Sequence, residues 1–333
     1  MDKVAFYSGS TAVYWNSLIL TLAAATAICF FLAFYLGKSG NGAAGFAVVP
    51  VSMALSLVFA RFFHWYCQSD SYTGFSAAMT SYAEGGYALM GVFLGCVLAA
   101  ALTRVLCLHR NLAEMLDAMS IAGCAGMAVG RLSALFNSSD RGQVLTNFRS
   151  LPIAYPVNNA VSGAVEYRLA TFALQAMAAL ALFIGLALFY RKGQKRRKLK
   201  DGDTCLVFLL FYGASQVVLD STRYDSLFFR SNGFVSVVQV LGALALVLAV
   251  ILLSRRMVKA RGFRAWQILL WLLIAAAIGG AGYMEYYVQR RGNEAMFAYS
   301  VMSACLMLAV CLTLFIRHLA VSVERRYYGA YHR

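Results

Sequence analysis

Apolar residues along the chain fall into long blocks that polar segments separate. A block of about 20 residues, as a helix, crosses the roughly 30 Å hydrocarbon core of a bilayer. The blocks do not alternate apolar and polar residues, as the strands of a membrane β-barrel do. The pattern therefore predicts an all-α integral membrane protein, a polytopic bundle of about nine transmembrane helices. The predicted spans are 14–36, 45–66, 85–108, 116–136, 169–190, 203–219, 234–253, 265–283 and 296–316.

Composition agrees with this pattern. The chain is 61% hydrophobic and 13% charged, whereas soluble domains carry about 25% charged residues. Its first twelve residues hold one lysine and one aspartate. They lack the basic start and small-residue cleavage site of a secretory signal peptide. We expect the first span to stay attached to the protein.

The net charge of +15 has two possible explanations, nucleic-acid binding and membrane topology. Basic residues concentrate in two connections between apolar spans, 191–200 and 255–264. Short loops rich in lysine and arginine remain on the cytoplasmic side of a membrane. We therefore predict an N-terminus outside and a C-terminus inside, with basic loops that contact anionic headgroups and no nucleic acid as partner.

Cofactor chemistry has no signature in this sequence. All cysteines except Cys67 lie inside the predicted spans, where free cysteine packs as a small hydrophobe. No Cys-x-x-Cys pair or Cys/His ligand spacing occurs, and no glycine-rich nucleotide-binding loop is present. We expect no metal and no organic cofactor.

Polar residues collect at the predicted outer ends of three spans. These residues are Arg61 and His64 on the second span, Arg131, Asn137 and Asp140 on or after the fourth, and Gln216, Asp220 and Arg223 on or after the sixth. Ionisable groups at membrane depth are costly and tend to mark function. Arginine pairs bidentately with phosphate, so three arginines at one depth indicate a phospholipid headgroup site. The alternative is that each arginine only extends to the membrane interface.

Four segments, which contain Arg61, Gly86, Arg131 and Arg223, resemble the motifs of the prolipoprotein diacylglyceryl transferase family. The segment "GRLSALFNSSDRG" is similar to the family signature G-R-x-G-N-F-x-N-x-E-x-x-G, and "FARFFHWY" is similar to A-R-x-G-Y. The segment "EGGYALMGVFLG" resembles G-G-x-x-x-H-G-G-x-x-G, and "YGASQVVLDSTRYD" resembles Y-G-x-x-R-x-x-x-E-x-x-R-x-x-D. The matched residues include Arg61, Gly85, Gly86, Gly91, Gly95, Gly130, Arg131, Asn137, Gly142, Tyr212, Gly213, Asp220, Arg223 and Asp225.

The resemblance implies an enzyme that moves the diacylglyceryl group of phosphatidylglycerol to the lipobox cysteine thiol of a lipoprotein precursor. Its partners would be the phospholipid and the precursor's signal helix, in the bacterial cytoplasmic membrane. Expected catalytic residues are Arg131, His64 and Asp220. Expected substrate-binding residues are Arg61, Asn137, Gly142, Arg223, Gly85, Gly86 and Gln216. Among these, His64 is the candidate base because histidine titrates near neutral pH, while an aspartate beside an arginine is a weaker base.

The sequence departs from the family pattern at several polar positions. Met90 stands at the motif histidine, Gln216 at the first arginine of the fourth motif, Ala134 at the signature asparagine, and Ser139 or Asp140 at the glutamate. These departures leave open an inactive relative that binds phospholipid or a signal helix, or a small-molecule permease. The last two spans match no motif. We therefore expect a transferase-like core, 1–258, and an extra C-terminal pair of transmembrane helices with a basic cytoplasmic tail, 259–333.

The predicted topology can be tested by thiol labelling of intact cells. Gly193→Cys places a thiol in the basic cytoplasmic loop, and Asp70→Cys places one in the predicted outer loop at 67–84. A membrane-impermeant thiol reagent should label only the Asp70 variant above the background of the parent chain, because the basic loop stays inside. Labelling of the Gly193 variant from outside would contradict this orientation.

Overall fold

Ten α-helices make up most of the part of the chain that the structure describes. The computed structural model describes residues 4–9, 11–80, 86–106, 108, 111–137, 140–145, 154–158, 163–195, 199–228, 235–291 and 295–331. The helices are α1 (Trp15–Ser39), α2 (Gly42–Cys67), α3 (Phe75–Thr80), α4 (Leu89–Val105), α5 (Leu112–Gly130), α6 (Thr171–Lys195), α7 (Asp203–Ser221), α8 (Val237–Arg261), α9 (Ala265–Arg291) and α10 (Ala295–Tyr331).

The predicted fold class is confirmed. Eight helices in the described part of the chain are long and apolar enough to cross a membrane. The third predicted span corresponds to α4, an apolar helix of 17 residues and hence the shortest candidate. The exact number of crossings and the orientation of the termini stay predictions.

Two short β-hairpins add to the helices, and the sequence pattern did not predict them. Strand β1 (Val4–Ser8) pairs antiparallel with β2 (Thr11–Tyr14), and β3 (Ala154–Asn158) pairs antiparallel with β4 (Val165–Leu169). These strands are only four or five residues long and lie almost entirely outside the apolar blocks. A pattern of 20-residue apolar spans therefore does not indicate them. The second hairpin becomes important because its last strand leads directly into α6.

Contacts divide the chain into two compact units. The first comprises 1–192, 199–205 and 222–233, and the second comprises 193–198, 206–221 and 234–333. Within the first unit, α1 packs on α5 and α2 packs on α4. Glycines permit the second of these contacts: a Cβ atom on Gly91 would lie 2.3 Å from the Phe59 carbonyl oxygen, and one on Gly95 would lie 2.4 Å from the Ser56 nitrogen. The α2 and α4 backbones therefore approach as closely as small residues allow in membrane helices.

A buried carboxylate on α5 holds the start of α7 within the first unit. Asp117 is fully buried and accepts hydrogen bonds from the backbone N–H groups of Gly202, at 2.8 Å, and Cys205, at 2.7 Å. Nearby, the Asp201 carboxylate pairs with Lys38 and accepts a hydrogen bond from Asn111. Because the first N–H groups of a helix have no partner within the helix, Asp117 supplies one from another helix.

In the second unit, α10 packs against α8 and α9 around two apolar clusters. One cluster joins Leu210 of α7 and Leu246 of α8 to Met302 of α10. Polar contacts reinforce the end of α7: the Ser221 hydroxyl donates to the buried Glu285 carboxylate of α9, and Tyr299 of α10 donates to the Ser221 carbonyl oxygen at 3.2 Å. The final helix pair thus packs against α7 and α8. The boundary between 1–258 and 259–333 stays a prediction.

The close contact of α2 with α4 predicts a stability effect with an internal control. Gly91→Ala should destabilise the protein by about 1–3 kcal/mol, because the new methyl group meets backbone atoms that cannot rotate away. Gly123→Ala on α5 has open space around the new atom and should be neutral or stabilise by about 0.5–1 kcal/mol. Thermal unfolding in detergent measures both. Equal midpoints for the two variants would contradict the close packing.

Candidate functional site

One carboxylate joins two of the arginines that the sequence placed at the outer membrane surface. An Asp140 oxygen lies 2.7 Å from a terminal nitrogen of Arg131, and its other oxygen lies 2.8 Å from a terminal nitrogen of Arg223. The side chains of Arg131 and Asp140 are each 15% exposed, and that of Arg223 is 10% exposed. We call Arg131, Asp140 and Arg223 the arginine cluster.

Three segments of the first unit build this cluster. Arg131 opens the 3-10 turn Arg131–Leu135 at the end of α5. Gly142 forms an isolated antiparallel bridge with Arg223, and the Tyr224 N–H donates to the Arg141 carbonyl oxygen at 2.8 Å. The Phe172 N–H, in the first turn of α6, donates to the Asp140 carbonyl oxygen at 3.0 Å. Backbone pairing therefore holds the segments that carry the three charged groups.

Asp140 has an unusual backbone conformation. It is the one non-glycine residue with positive φ in the described part of the chain, at +56°. Such a conformation costs roughly 1–2 kcal/mol for an L-residue and persists only where surrounding contacts enforce it. The Asp140 N–H donates to the Asp225 carboxylate at 2.8 Å, and Asp225 also pairs with Arg223 at 3.1 Å. These contacts fix the direction of the Asp140 side chain.

The electrostatics of the cluster favour an ionised Asp140. Burial by itself raises the pKa of this carboxyl, but the Arg131 and Arg223 guanidinium groups outweigh burial and hold the pKa below its ordinary value. Asp140 therefore stays negative at neutral pH and partly neutralises the arginine pair. Among the described residues, Arg131 has no other ionic partner, and its side chain is partly exposed.

Gly142 and Asn137 lie beside the cluster. A Cβ atom on Gly142 would lie 2.6 Å from both the Leu169 Cβ and the Thr171 hydroxyl oxygen, so only glycine fits at this position. The Asn137 amide donates to the Asn16 side chain of α1 at 3.3 Å, and its carbonyl oxygen accepts a hydrogen bond from Arg141 at 2.7 Å. Both residues belong to the signature motif "GRLSALFNSSDRG", which also contains Arg131 and Asp140.

Arg61 and His64 form a separate group in the same unit. Arg61 is fully buried and donates to the carbonyl oxygens of Ala78 and, at 3.0 Å, Gly86. Its guanidinium also lies over the Tyr72 ring, 5.0 Å from the ring centre. The His64 Nδ1 lies 2.8 Å from the Tyr72 hydroxyl oxygen. Arg61 thus joins α2 to α3 and to the residue Gly86 just before α4. Its predicted contact with substrate stays a prediction.

Two glycines of this region, Gly85 and Gly86, were predicted to bind substrate. Gly86 has φ of +81°, and a Cβ atom there would lie within 3 Å of Tyr72, His64 and Arg61 side-chain atoms. Gly85 lies outside the described residues. Met90, at the motif histidine, is buried at the start of α4.

Asp220 and Gln216 belong to the second unit. Asp220 is buried and accepts a hydrogen bond from the Ser236 hydroxyl, which also caps α8 together with Gln239. Gln216 lies one turn earlier on α7, is 4% exposed, and its amide oxygen has no hydrogen-bond partner among the described residues. Their predicted roles in catalysis and substrate binding stay predictions.

The role of Asp140 is the main feature of the cluster that sequence reasoning missed. The motif comparison placed an acid near this position but assigned it no contact. Arg223 follows α7 and is therefore far from Asp140 in the sequence. The residues next to Asp140, Ser139 and Arg141, do not reveal that the two side chains are in contact. The sequence did contain one signal for this contact: two arginines and one acid all fall within the family motifs.

Comparison with known proteins identifies the family of this chain. A family model described as prolipoprotein diacylglyceryl transferase matches residues 3–255. The chain belongs to the prolipoprotein diacylglyceryl transferase family. This confirms the family resemblance found in the sequence, and the match ends before α9 and α10.

Two relatives of this transferase family cover the same region. The phosphatidylglycerol–prolipoprotein diacylglyceryl transferase of Lactococcus lactis subsp. cremoris is 26% identical over 264 residues, 78% of this chain and 96% of the relative. The protein of that name from Streptococcus pyogenes serotype M3 is 22% identical over 258 residues, 77% of this chain and 95% of the relative. Nearly the full length of each relative is therefore represented here.

The cluster predicts a pH-dependent contribution to stability. Because the pKa of Asp140 is lowered in the folded protein, its ion pairs stabilise the fold at neutral pH. This contribution declines as the pH falls below the ordinary aspartate value, near 3.9, and through the lowered folded value. Asp140→Asn should lose about 2 kcal/mol at pH 7 and show a flatter acid dependence. Thermal unfolding between pH 7 and 3 measures both effects.

The exposed Asp70 provides the matched control for this measurement. Asp70→Asn should unfold as the parent does across the same pH range, since surface charges contribute little to stability. An Asp140→Asn variant with the parent's midpoint at pH 7 would contradict the importance of the shared carboxylate.

Proposed function

We propose that this protein transfers the diacylglyceryl group of phosphatidylglycerol to the lipobox cysteine of a lipoprotein precursor in the bacterial cytoplasmic membrane. The arginine cluster carries this proposal, since Arg131 and Arg223 converge on a single anionic group. A phospholipid phosphate is an anion of the same kind, and partly exposed guanidinium donors suit it. The family match and the names of its relatives support the same reaction.

The reaction forms a thioether and releases glycerol phosphate. The cysteine thiol loses its proton, and its sulfur attacks the glyceryl carbon that bears the phosphate. The carbon–oxygen bond breaks, and the phosphate leaves with the bonding electrons. Arg131 and Arg223 would stabilise the charge that develops on this leaving group, while Asp140 keeps the two cations close together. Asn137 and Gly142 would shape the headgroup position.

His64 is the proposed base. Met90 stands where the family pattern has histidine and cannot accept a proton at neutral pH. The contact of the Tyr72 hydroxyl with His64 Nδ1 orients the ring and leaves Nε2 as the nitrogen for proton transfer. The signal helix of the precursor would bring its thiol to this layer of the membrane.

A non-catalytic role is the second candidate. Met90 and Gln216 replace a histidine and an arginine of the family pattern, so the site could hold phospholipid or a signal helix without turnover. The arginine cluster serves either role. Lipid binding and lipidation must therefore be measured separately.

Complementation tests the proposed activity. The parent chain should restore lipoprotein lipidation in a bacterium depleted of its own diacylglyceryl transferase, seen as a mass increase of a reporter lipoprotein. Arg131→Ala should lower lipidation about 100-fold or more, because it removes a cation at the leaving group. Arg104→Ala, an exposed arginine at the end of α4, is the matched control and should lipidate as the parent does.

The same assay separates the two candidate functions. His64→Ala should abolish lipidation while the purified protein still retains phosphatidylglycerol, and Met90→His should raise lipidation. A parent chain that retains phosphatidylglycerol through Arg131 yet gives no lipidation would reject the enzyme and leave the binding role.

A further inference from the structure

The first turn of α6 is part of the wall around the arginine cluster. Its Phe172 N–H donates to the Asp140 carbonyl oxygen, and the hydroxyl oxygens of Thr171 and Thr222 lie 3.2 Å apart. Just before the helix, the Leu169 carbonyl oxygen accepts a hydrogen bond from the Gly142 N–H at 2.8 Å. The start of α6 is therefore bonded to both segments that carry the cluster.

Gln175 lies one turn further along the same face of α6. Residues four apart in a helix share a face, so Gln175 follows Thr171 and is displaced by about 6 Å along the axis. On the predicted topology α6 runs inward from the outer surface, which places Gln175 on the membrane side of the cluster. It is the one polar side chain between Phe172 and Phe189 of this apolar helix.

The Gln175 amide is buried without a hydrogen-bond partner. The residue is 2% exposed, and neither its amide nitrogen nor its amide oxygen has a partner among the described residues. An unpaired buried polar group destabilises the fold, and native proteins rarely keep one without a ligand, water or functional reason. A leucine at this position would avoid the cost entirely.

We infer that Gln175 recognises an ester carbonyl of a bound diacyl glycerophospholipid. This inference rests on the proposed function, because it places the lipid phosphate at the arginine cluster. In such a lipid the two ester carbonyls lie just below the phosphate, beyond the glycerol carbons. The Gln175 amide nitrogen donates to one of these carbonyl oxygens, and a water that accompanies the lipid's polar groups satisfies the amide oxygen.

The inference gives Gln175 a specificity role. The arginine cluster binds the phosphate, and this contact does not depend on whether ester or ether bonds join the chains to glycerol. Gln175 instead distinguishes a diacyl lipid, which has carbonyl acceptors, from a dialkyl ether lipid, which lacks them. A site that loses a needed acceptor is left with an unpaired buried donor, which is the usual basis of such discrimination.

The experiment compares two lipids and four proteins. Purified parent, Gln175→Leu and Gln194→Leu are titrated with nanodiscs that contain either diacyl phosphatidylglycerol or its dialkyl ether analogue. Gln194 is the matched control, because it lies on the cytoplasmic end of α6 and its amide nitrogen also lacks a partner among the described residues. Arg131→Ala is included to report whether either lipid uses the arginine cluster.

The parent and Gln194→Leu should bind the diacyl lipid about 5- to 10-fold more tightly than the ether lipid, the effect of one hydrogen bond. Gln175→Leu should bind both lipids equally, at the parent's affinity for the ether lipid, with an unfolding midpoint no lower than the parent's. Parent binding that is equal for the two lipids and still depends on Arg131 would overturn the role of Gln175 alone. A Gln175→Leu variant that keeps the preference would do the same. Parent binding of both lipids that is insensitive to Arg131→Ala would overturn the proposed headgroup site together with this inference.

Discussion

The Asp140 carboxylate, shared by Arg131 and Arg223, is the interaction on which the candidate site depends. Two guanidinium groups this close repel each other unless an anion lies between them. Asp140 supplies that anion at the cost of a positive φ and near-complete burial. The end of α5, the strand β4 connection to α6 and the segment after α7 all bond to the residues around it. The protein thus holds a pair of cations close together in a partly neutralised form.

Close backbone contacts occur both between α2 and α4 and beside this pair of arginines. Gly91 and Gly95 let α2 and α4 pack backbone to backbone, and Gly142 lets the signature segment lie against Leu169 and Thr171. Inside a bilayer the hydrophobic effect does not drive helices together, so close packing and hydrogen bonds must do so. Glycine serves both purposes here, because it brings carbonyl oxygens within reach of neighbours. Gly91, Gly95 and Gly142 all lie in segments that resemble the family motifs, and each occupies such a contact.

The sequence predicted the helices and the two arginines of the cluster because both depend on local information. Twenty-residue apolar blocks mark helices directly, and an arginine at the end of such a block stands out. The partner of those arginines depends on two loops far apart in the sequence, so Asp140 had no assigned contact. Gln175 shows the same limit: its polarity is visible in the sequence, but its lack of a partner is visible only in three dimensions. The short hairpins were missed because pairing, and not composition, defines them.

The contact between Ser221 and Glu285 links two parts of the chain with different relationships to the family. Ser221 ends α7 within the region shared with the transferases, while Glu285 belongs to a helix beyond it. A buried carboxylate that loses one of its two donors is destabilised, and a serine hydroxyl at a helix end has little use once α9 is gone. Selection should therefore act on the two residues together. In relatives that carry the additional helices, serine at the first position and an acid at the second should be gained and lost as a pair.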